Sequence, residues 1–310
     1  MITAYTNTPG YGLEVLAEPT AGSWLSIIDP TPDEINHLRA LGIPQDYVTY
    51  PLDVDERPRT ERENGEVFIV LRIPYFAGEQ ADIPYTTIPL GVILTDTYLV
   101  TICRRPNDII EEFATGRVKN FSPAKRNRFV LRLLLNTANK YLSYLREITK
   151  QVETLEDQLQ LSTRNSEVLK LLKYEKSLTY FTTALKSNEL MMERLQRSQL
   201  FKMYPDDEEL LEDVLTENRQ AIEMTNIQSN ILSSMMDAFA SIISNNLNGV
   251  MKLLTSITIV LSFPTMVASF FGMNVLLPLG ERPHAFPFIM AFSFGISLTV
   301  ALVLKRLDWF

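Results

Sequence analysis

Ten residues in the last quarter of the chain repeat with alternating steps of four and three: Asp237, Ser241, Ser244, Asn248, Met251, Thr255, Thr258, Ser262, Thr265 and Ser269. Nine of the ten are polar, so on a helix they form one polar line. A 3.5-residue seam in an ordinary coiled coil is apolar, because it packs against its partner. Here the flanking positions are the apolar ones: Ile242, Ile243, Leu247, Leu253, Leu254, Ile257, Ile259 and Val260. Two arrangements fit such a line equally. Small hydroxyl side chains allow close helix packing in a membrane, or identical helices surround a water-filled path with their polar sides. A straight helix drifts about 20° per heptad from this spacing, which brings Leu254 beside Thr255 on the seam.

Materials for other chemistry are scarce. His37 and His284 are the only histidines and Cys103 the only cysteine. A disulfide framework and a cysteine-rich zinc site are excluded, and no histidine-based triad or multi-histidine metal centre is in prospect. No glycine-rich phosphate loop occurs, so no catalytic residue is assigned and no enzyme or small-molecule substrate is expected. With 29 basic and 37 acidic side chains, net −8, the chain is not a general nucleic-acid binder.

The element that carries the seam enters a membrane. Mean hydropathy is +0.01 although 21% of the residues are charged, an average of two unlike parts. Leu253–Phe271 and Phe286–Leu304 are each nineteen residues without a charge. About 20 apolar residues cross the hydrocarbon core, so both are expected to span it. Residues 274–285 between them are too few for a domain. Lys252 abuts the first span and Lys305 and Arg306 the second, while the loop has Arg282 beside Glu281. The excess of positive charge puts both termini in the cytoplasm of a multi-pass cell-membrane protein. The start MITAYTNTPGYGLEV lacks a basic n-region and an apolar h-region, so no signal peptide is expected. All but four basic and two acidic residues precede Lys252, giving the first 251 residues a net charge of −10.

Residues 1–124 read as a cytoplasmic α+β domain. Trp24–Asp29 is a predicted strand, and Thr31 caps a short helix that begins at Pro32 and ends at Gly42. Glu66–Phe76 and Thr86–Leu94 are β-rich, with Tyr98–Ile102 following the Thr95–Asp96–Thr97 turn. Residues 125–204 lack glycine and proline up to Met203 and predict two long antiparallel helices that break near Ser162–Asn165. Pro205 with Asp206, Asp207, Glu208 and Glu209 starts a third, of roughly 65 residues, about 100 Å long. Its first part, 205–252, leads into the first span at 253–273, with 286–304 the second span and 305–310 an inner tail.

Directly after the first span comes Phe270–Phe271–Gly272–Met273–Asn274, and the chain ends in Lys305–Arg306–Leu307–Asp308–Trp309–Phe310. A Gly-Met-Asn tripeptide at the exit of the first of two C-terminal spans resembles the CorA family of magnesium channels. Leu52–Arg59 (LDVDERPR) is similar to a stretch of the same family's cytoplasmic domain, so the resemblance covers nearly the whole chain. It implies a homopentameric funnel embedded in lipid, with Mg²⁺ as the transported and also regulatory ion. It implies selection of hydrated Mg²⁺ by Gly272, Met273 and Asn274. A ring of Asn274 carbonyl oxygens touches the hydration shell of a hard cation without stripping it; Gly272 permits the turn and Met273 packs to hold the loop. Asn248, Met251 and Leu254 would line a narrow gate and Thr258, Ser262 and Thr265 a wider segment, with Asp237 an acidic ring at the inner mouth. Asp213 aligns with a carboxylate of a regulatory Mg²⁺ site, or is simply a solvated helix-face acid.

Four departures accompany the resemblance. Tyr75–Asp82 contains Glu79 and Asp82 but no adjacent acidic pair, which leaves Mg²⁺ sensing at that site open. Pro264 sits one place later than the family pattern, the terminal basic cluster is only Lys305–Arg306, and Glu281 is the outer loop's one acid. Zinc, cobalt or nickel carriage on the same architecture is the alternative, although Met273 argues against the zinc branch. A non-conducting membrane-anchored coiled-coil scaffold is the other, and the polar seam argues against it.

Overall fold

A computed structural model describes residues 1–8, 12–63, 65–118, 122–161, 165–197, 204–273 and 284–309. The chain divides into two compact units, Met1–Met235 and Met236–Phe310.

The first unit is built on a seven-stranded sheet. Its strands are β1 (Ile2–Thr8), β2 (Gly12–Leu16), β3 (Trp24–Ile28), β4 (Arg59–Glu63), β5 (Glu66–Phe76), β6 (Tyr85–Leu94) and β7 (Leu99–Cys103), in the order β2-β1-β3-β7-β6-β5-β4. Every pairing is antiparallel except β3 with β7, where Trp24 lies opposite Leu99 and Ile28 opposite Cys103. The β6–β7 turn forms where Thr95, Asp96 and Thr97 predict it. The Thr95 hydroxyl accepts the Tyr98 N–H at 2.9 Å and the Thr97 N–H at 3.2 Å, a side-chain turn that closes the hairpin.

The central strands are buried on both faces, which is why β5 and β6 read as continuous apolar runs. One face is covered by α1 (Pro32–Ala40), α2 (Gln45–Thr49) and a tight turn at Tyr50–Leu52, over Leu25, Ile27, Phe68, Val70, Val100 and Ile102. Helix α1 begins as expected. Thr31 accepts the Glu34 N–H while Glu34 accepts the Thr31 N–H at 2.8 Å. That backbone bond holds the Glu34 carboxyl below the usual carboxylate range.

The other face packs on α3 (Asp108–Ala114), α4 (Arg126–Leu161), α5 (Asn165–Arg197) and the start of α6 (Pro205–Phe271). Trp24 is fully buried there, stacked on Tyr5 at 4.8 Å and beside Phe129 at 5.3 Å, with its indole N–H donated to Thr101 Oγ1 at 2.9 Å. Asn188 of α5 ties the helices to the sheet. Its Oδ1 accepts the Arg72 N–H at 2.9 Å and its Nδ2 donates to the Arg72 carbonyl at 2.8 Å, as a neighbouring strand would. The Tyr141 hydroxyl of α4 donates to the same carbonyl. The acids at the start of α6 complement the positive helix end and also hold α4: Arg128 donates to Asp207 at 2.9 Å and to Asp206 at 3.3 Å.

Strands β1, β2 and β4 and helices α2 and α3 are additions to the sequence reading. Polar runs such as Ile2–Thr8 (ITAYTNT) and Arg59–Glu63 (RTERE) have no core signal of their own; they become strands by pairing with an apolar neighbour. The predicted α4–α5 break falls within 162–165, of which residues 162–164 lie outside the described residues.

Helix α6 is a single element of 67 residues with Pro264 inside it. Helix α7 (Ala285–Arg306) follows. Both contain windows long and apolar enough to cross a membrane, of which only 6% and 11% are buried. Core helices of a soluble protein are mostly buried instead, so these apolar surfaces are turned outward, toward lipid or further copies of the chain.

Candidate functional site

Along α6 in the second unit, burial is one-sided. Ser256 is fully buried, and Ile259, Val260, Phe263, Pro264 and Val267 are partly covered. These positions recur at three- and four-residue steps and form the face toward α7, where Ser297 Oγ donates to the Val260 carbonyl at 3.1 Å. Thr255, Thr258, Ser262, Thr265 and Ser269 are all exposed. At 3.6 residues per turn, Thr258 and Ser262 lie roughly 160° around the helix from Val260. The seam therefore faces away from α7, and a shallow groove of about 520 Å³ runs along Thr258, Ser262, Thr265 and Ser269, bordered by Leu261 and Met266.

The seam hydroxyls are oriented by their own helix. Thr258 Oγ1 donates to the Leu254 carbonyl at 2.8 Å, Ser262 Oγ to the Thr258 carbonyl at 2.7 Å, and Thr265 Oγ1 to the Leu261 carbonyl at 2.9 Å. With each hydroxyl proton engaged, what these three side chains offer outward is oxygen lone pairs. A hydrated cation points its water protons outward, so a row of acceptors suits its shell. A row of donors would suit an anion.

Further along the same face, Ser241, Ser244 and Asn248 are exposed, as are Met251 and Leu254 at 52% and 58%. Asn248, Met251 and Thr255 border a cavity of about 680 Å³ shared with Lys252, Asp308 and Trp309. The chain reverses after α7 to reach it. Asp308 adopts a left-handed backbone, φ 53°, a conformation aspartate tolerates better than most residues. The Trp309 N–H then returns to the Leu304 carbonyl at 3.1 Å, and the Trp309 carbonyl accepts from Ser256 Oγ at 3.4 Å. Neither the return of this tail to Ser256 nor the Ser297 contact is visible in the sequence reading; a serine in an apolar run has no signal for which neighbour it meets.

At the C-terminal end of α6, the Gly272 N–H closes the last turn on the Ala268 carbonyl at 2.9 Å, and the Met273 N–H lies 3.3 Å from the Phe270 carbonyl. Gly272 is not in a left-handed conformation, and a Cβ there would sit 3.4 Å from the Ala268 oxygen. That is an ordinary contact distance, so in the described structure neither space nor backbone freedom requires a glycine here, against the expectation that Gly272 permits the turn. Met273 is 53% exposed. Asn274, with Glu281 and Arg282, lies outside the described residues.

Asp237 and Asp213 are exposed on α6. Asp82 is 3.4 Å from Lys176, so a cation already faces that carboxylate. Among the described residues no three His, Cys, Asp or Glu side chains come together as a metal site.

Residues 20–306 match the family described as CorA-like Mg²⁺ transporter protein. The cobalt/magnesium transport protein CorA of Methanocaldococcus jannaschii is 30% identical over 298 residues, 92% of this chain and 90% of that one. Its namesake from Thermotoga maritima is 24% identical over 277 residues, 83% and 74% of the two chains. The complete structure of the Methanocaldococcus jannaschii CorA magnesium transporter superposes with a TM-score of 0.84 at 25% identity, covering 100% of this chain and 99% of the other. With the α+β body, the 67-residue helix and the C-terminal apolar pair all accounted for, this chain belongs to the CorA-like Mg²⁺ transporter family.

Proposed function

We propose that the chain is one subunit of a homopentameric channel that admits Mg²⁺ to the cytoplasm down its electrochemical gradient. One observation carries this reading: a continuous line of outward-facing hydroxyl oxygens on the side of α6 away from α7. Two spanning helices cannot enclose a conduit, so several copies must share an axis, and the family resemblance implies five. Mg²⁺ sheds water reluctantly, and the acceptor row would guide it with its shell intact. The driving force is large, about 4.6 kcal/mol for a divalent ion per 100 mV.

In this reading residues 1–124 and 125–204 form the cytoplasmic body, 205–252 the stalk, 253–273 the pore-lining span, 274–285 the outer loop, 286–304 the second span and 305–310 the inner tail. Lys252, Lys305 and Arg306 keep that end, and both termini, inside. Gly272, Met273 and Asn274 select the ion at the outer mouth. Met251 and Leu254 close the path by excluding water at an apolar constriction, and Asp237 gathers cations at the inner mouth. The two CorA relatives carry cobalt in their names, and Co²⁺ would use the same row of acceptors; zinc and nickel are to be ranked by competition.

Purified protein in liposomes is expected to take up Mg²⁺. Asn274→Ala should lower the preference for Mg²⁺ over monovalent cations by at least about ten-fold, the worth of one or two lost hydrogen bonds to the hydration shell. Unchanged selectivity would remove Asn274 from the filter. Regulation gives a second expectation. Because Asp82 faces Lys176 and no acid adjoins it, internal Mg²⁺ should reduce flux by less than about two-fold, a coupling below the usual allosteric range. A strong internal block would place regulatory Mg²⁺ elsewhere, with Asp213 the first residue to substitute.

A further inference from the structure

Pro264 lies inside α6 and has no N–H, so the Val260 carbonyl four residues back loses its helical donor. In hydrocarbon no water replaces it, and an unpaired carbonyl there is costly. The structure supplies a donor from the other helix: Ser297 Oγ of α7 lies 3.1 Å from the Val260 oxygen, with Ser297 itself 7% exposed. Proline is the usual place for a helix to bend. The bond thus joins the proline of the seam helix to the helix behind it. Ser293, one turn away on the same face of α7, is equally buried, but its hydroxyl has no partner among the described residues. The hydroxyl at 297, and not burial of serine in general, matches the freed carbonyl.

We infer that Ser297 is a positioning residue for conduction: it donates to the carbonyl that Pro264 frees and so sets how the outer half of the seam, Thr265 and Ser269, is held relative to α7. The inference rests on the transport reading, since the seam matters only if ions follow it. Without the hydroxyl, the carbonyl must turn elsewhere and the outer seam loses its fixed orientation. The filter residues 272–274 are untouched, so maximal flux should fall while the Mg²⁺ concentration at half-maximal flux stays the same.

A double-variant cycle in liposomes tests this. Ser297→Ala should reduce maximal Mg²⁺ flux about five-fold, the effect of losing one hydrogen bond of ordinary net strength. Ser297→Thr, which keeps the hydroxyl, should restore most of it, and Ser293→Ala should be silent. In a Pro264→Ala background the residue-264 N–H pairs with Val260 within α6. There, Ser297→Ala should have no further effect. The same five-fold loss in both backgrounds, or no loss with Pro264 present, would overturn the inference. Should Ser297→Ala alone fail to assemble, recovery of assembly in the double variant supports it, and continued failure sinks it. Absence of Mg²⁺ uptake by the unaltered protein is a separate outcome that removes the transport reading. The same cycle read on thermal unfolding in detergent still decides the Ser297–Val260 contact.

Discussion

Replacing Thr258, Ser262 and Thr265 together by valine, alanine and valine is expected to cut Mg²⁺ flux about a hundred-fold, since three lost acceptors at about 1 kcal/mol each come to roughly two powers of ten. The substitutions nearly conserve volume, so the path stays as wide and only its chemistry changes. All three hydroxyls bond carbonyls of their own helix, and such back-bonds slightly destabilise helices. Fold and assembly should therefore survive, which size-exclusion chromatography and helical content can check. Flux within about two-fold of the unaltered protein would mean that ions take another route. Flux and assembly read together separate the two arrangements the seam leaves open in the sequence. One of them predicts lost conduction with intact assembly, the other lost assembly.

The second large effect concerns stability. Gly91 lies in the middle of β6, opposite Val70 and Ile102. A Cβ at this position would fall 2.2 Å from Pro51 Cγ, 3.0 Å from Pro51 Cβ and 3.5 Å from Phe68 Cε2. The neighbour is a proline ring in the tight Tyr50–Leu52 turn, so it cannot rotate aside as a flexible side chain would. The strand cannot move either, being paired on both edges. Gly91→Ala is expected to cost about 3 kcal/mol, the upper part of the usual overpacking range. For a unit of this size that corresponds to a fall of about 6–12 °C in the melting temperature of the full-length protein. Adding Pro51→Ala removes the Cγ and should recover part of the loss. If Gly91→Ala melts within about 2 °C of the unaltered protein, the strand and the Pro51 turn are not held against each other as described.

Much of this was legible locally. The capping box of α1, the Thr95 hairpin, the acidic start of α6 and the two uncharged spans each depend on a few adjacent residues, whose propensities and hydropathy act over one or two turns. The Gly-Met-Asn placement carried the family. Less legible were the strands at the sheet edges. Glu61, Arg62 and Glu63 pair with Phe68, Val67 and Glu66, and nothing in a run of charges announces that an apolar neighbour will recruit it. Asn188 and Arg72 are likewise 116 positions apart, and an asparagine in an amphipathic helix has no sign that it will imitate a strand.

For helix α6 the division is sharp. The 3.5-residue polar period, the length of the spans and the basic residues at one end follow from composition and spacing alone, because helix geometry converts sequence interval into angle. Which side of that helix is covered does not follow. The flank bearing Ile257 is as apolar as the one bearing Val260, yet Ile257 is 43% exposed while Val260 is partly covered beside Ser297. Hydropathy ranks these faces equally. Only the meeting of α6 with α7 breaks the tie, through the carbonyl that Pro264 cannot serve and the buried hydroxyls of Ser256 and Ser297. That choice of face leaves the polar seam uncovered, and an uncovered seam is what further copies of the chain would need.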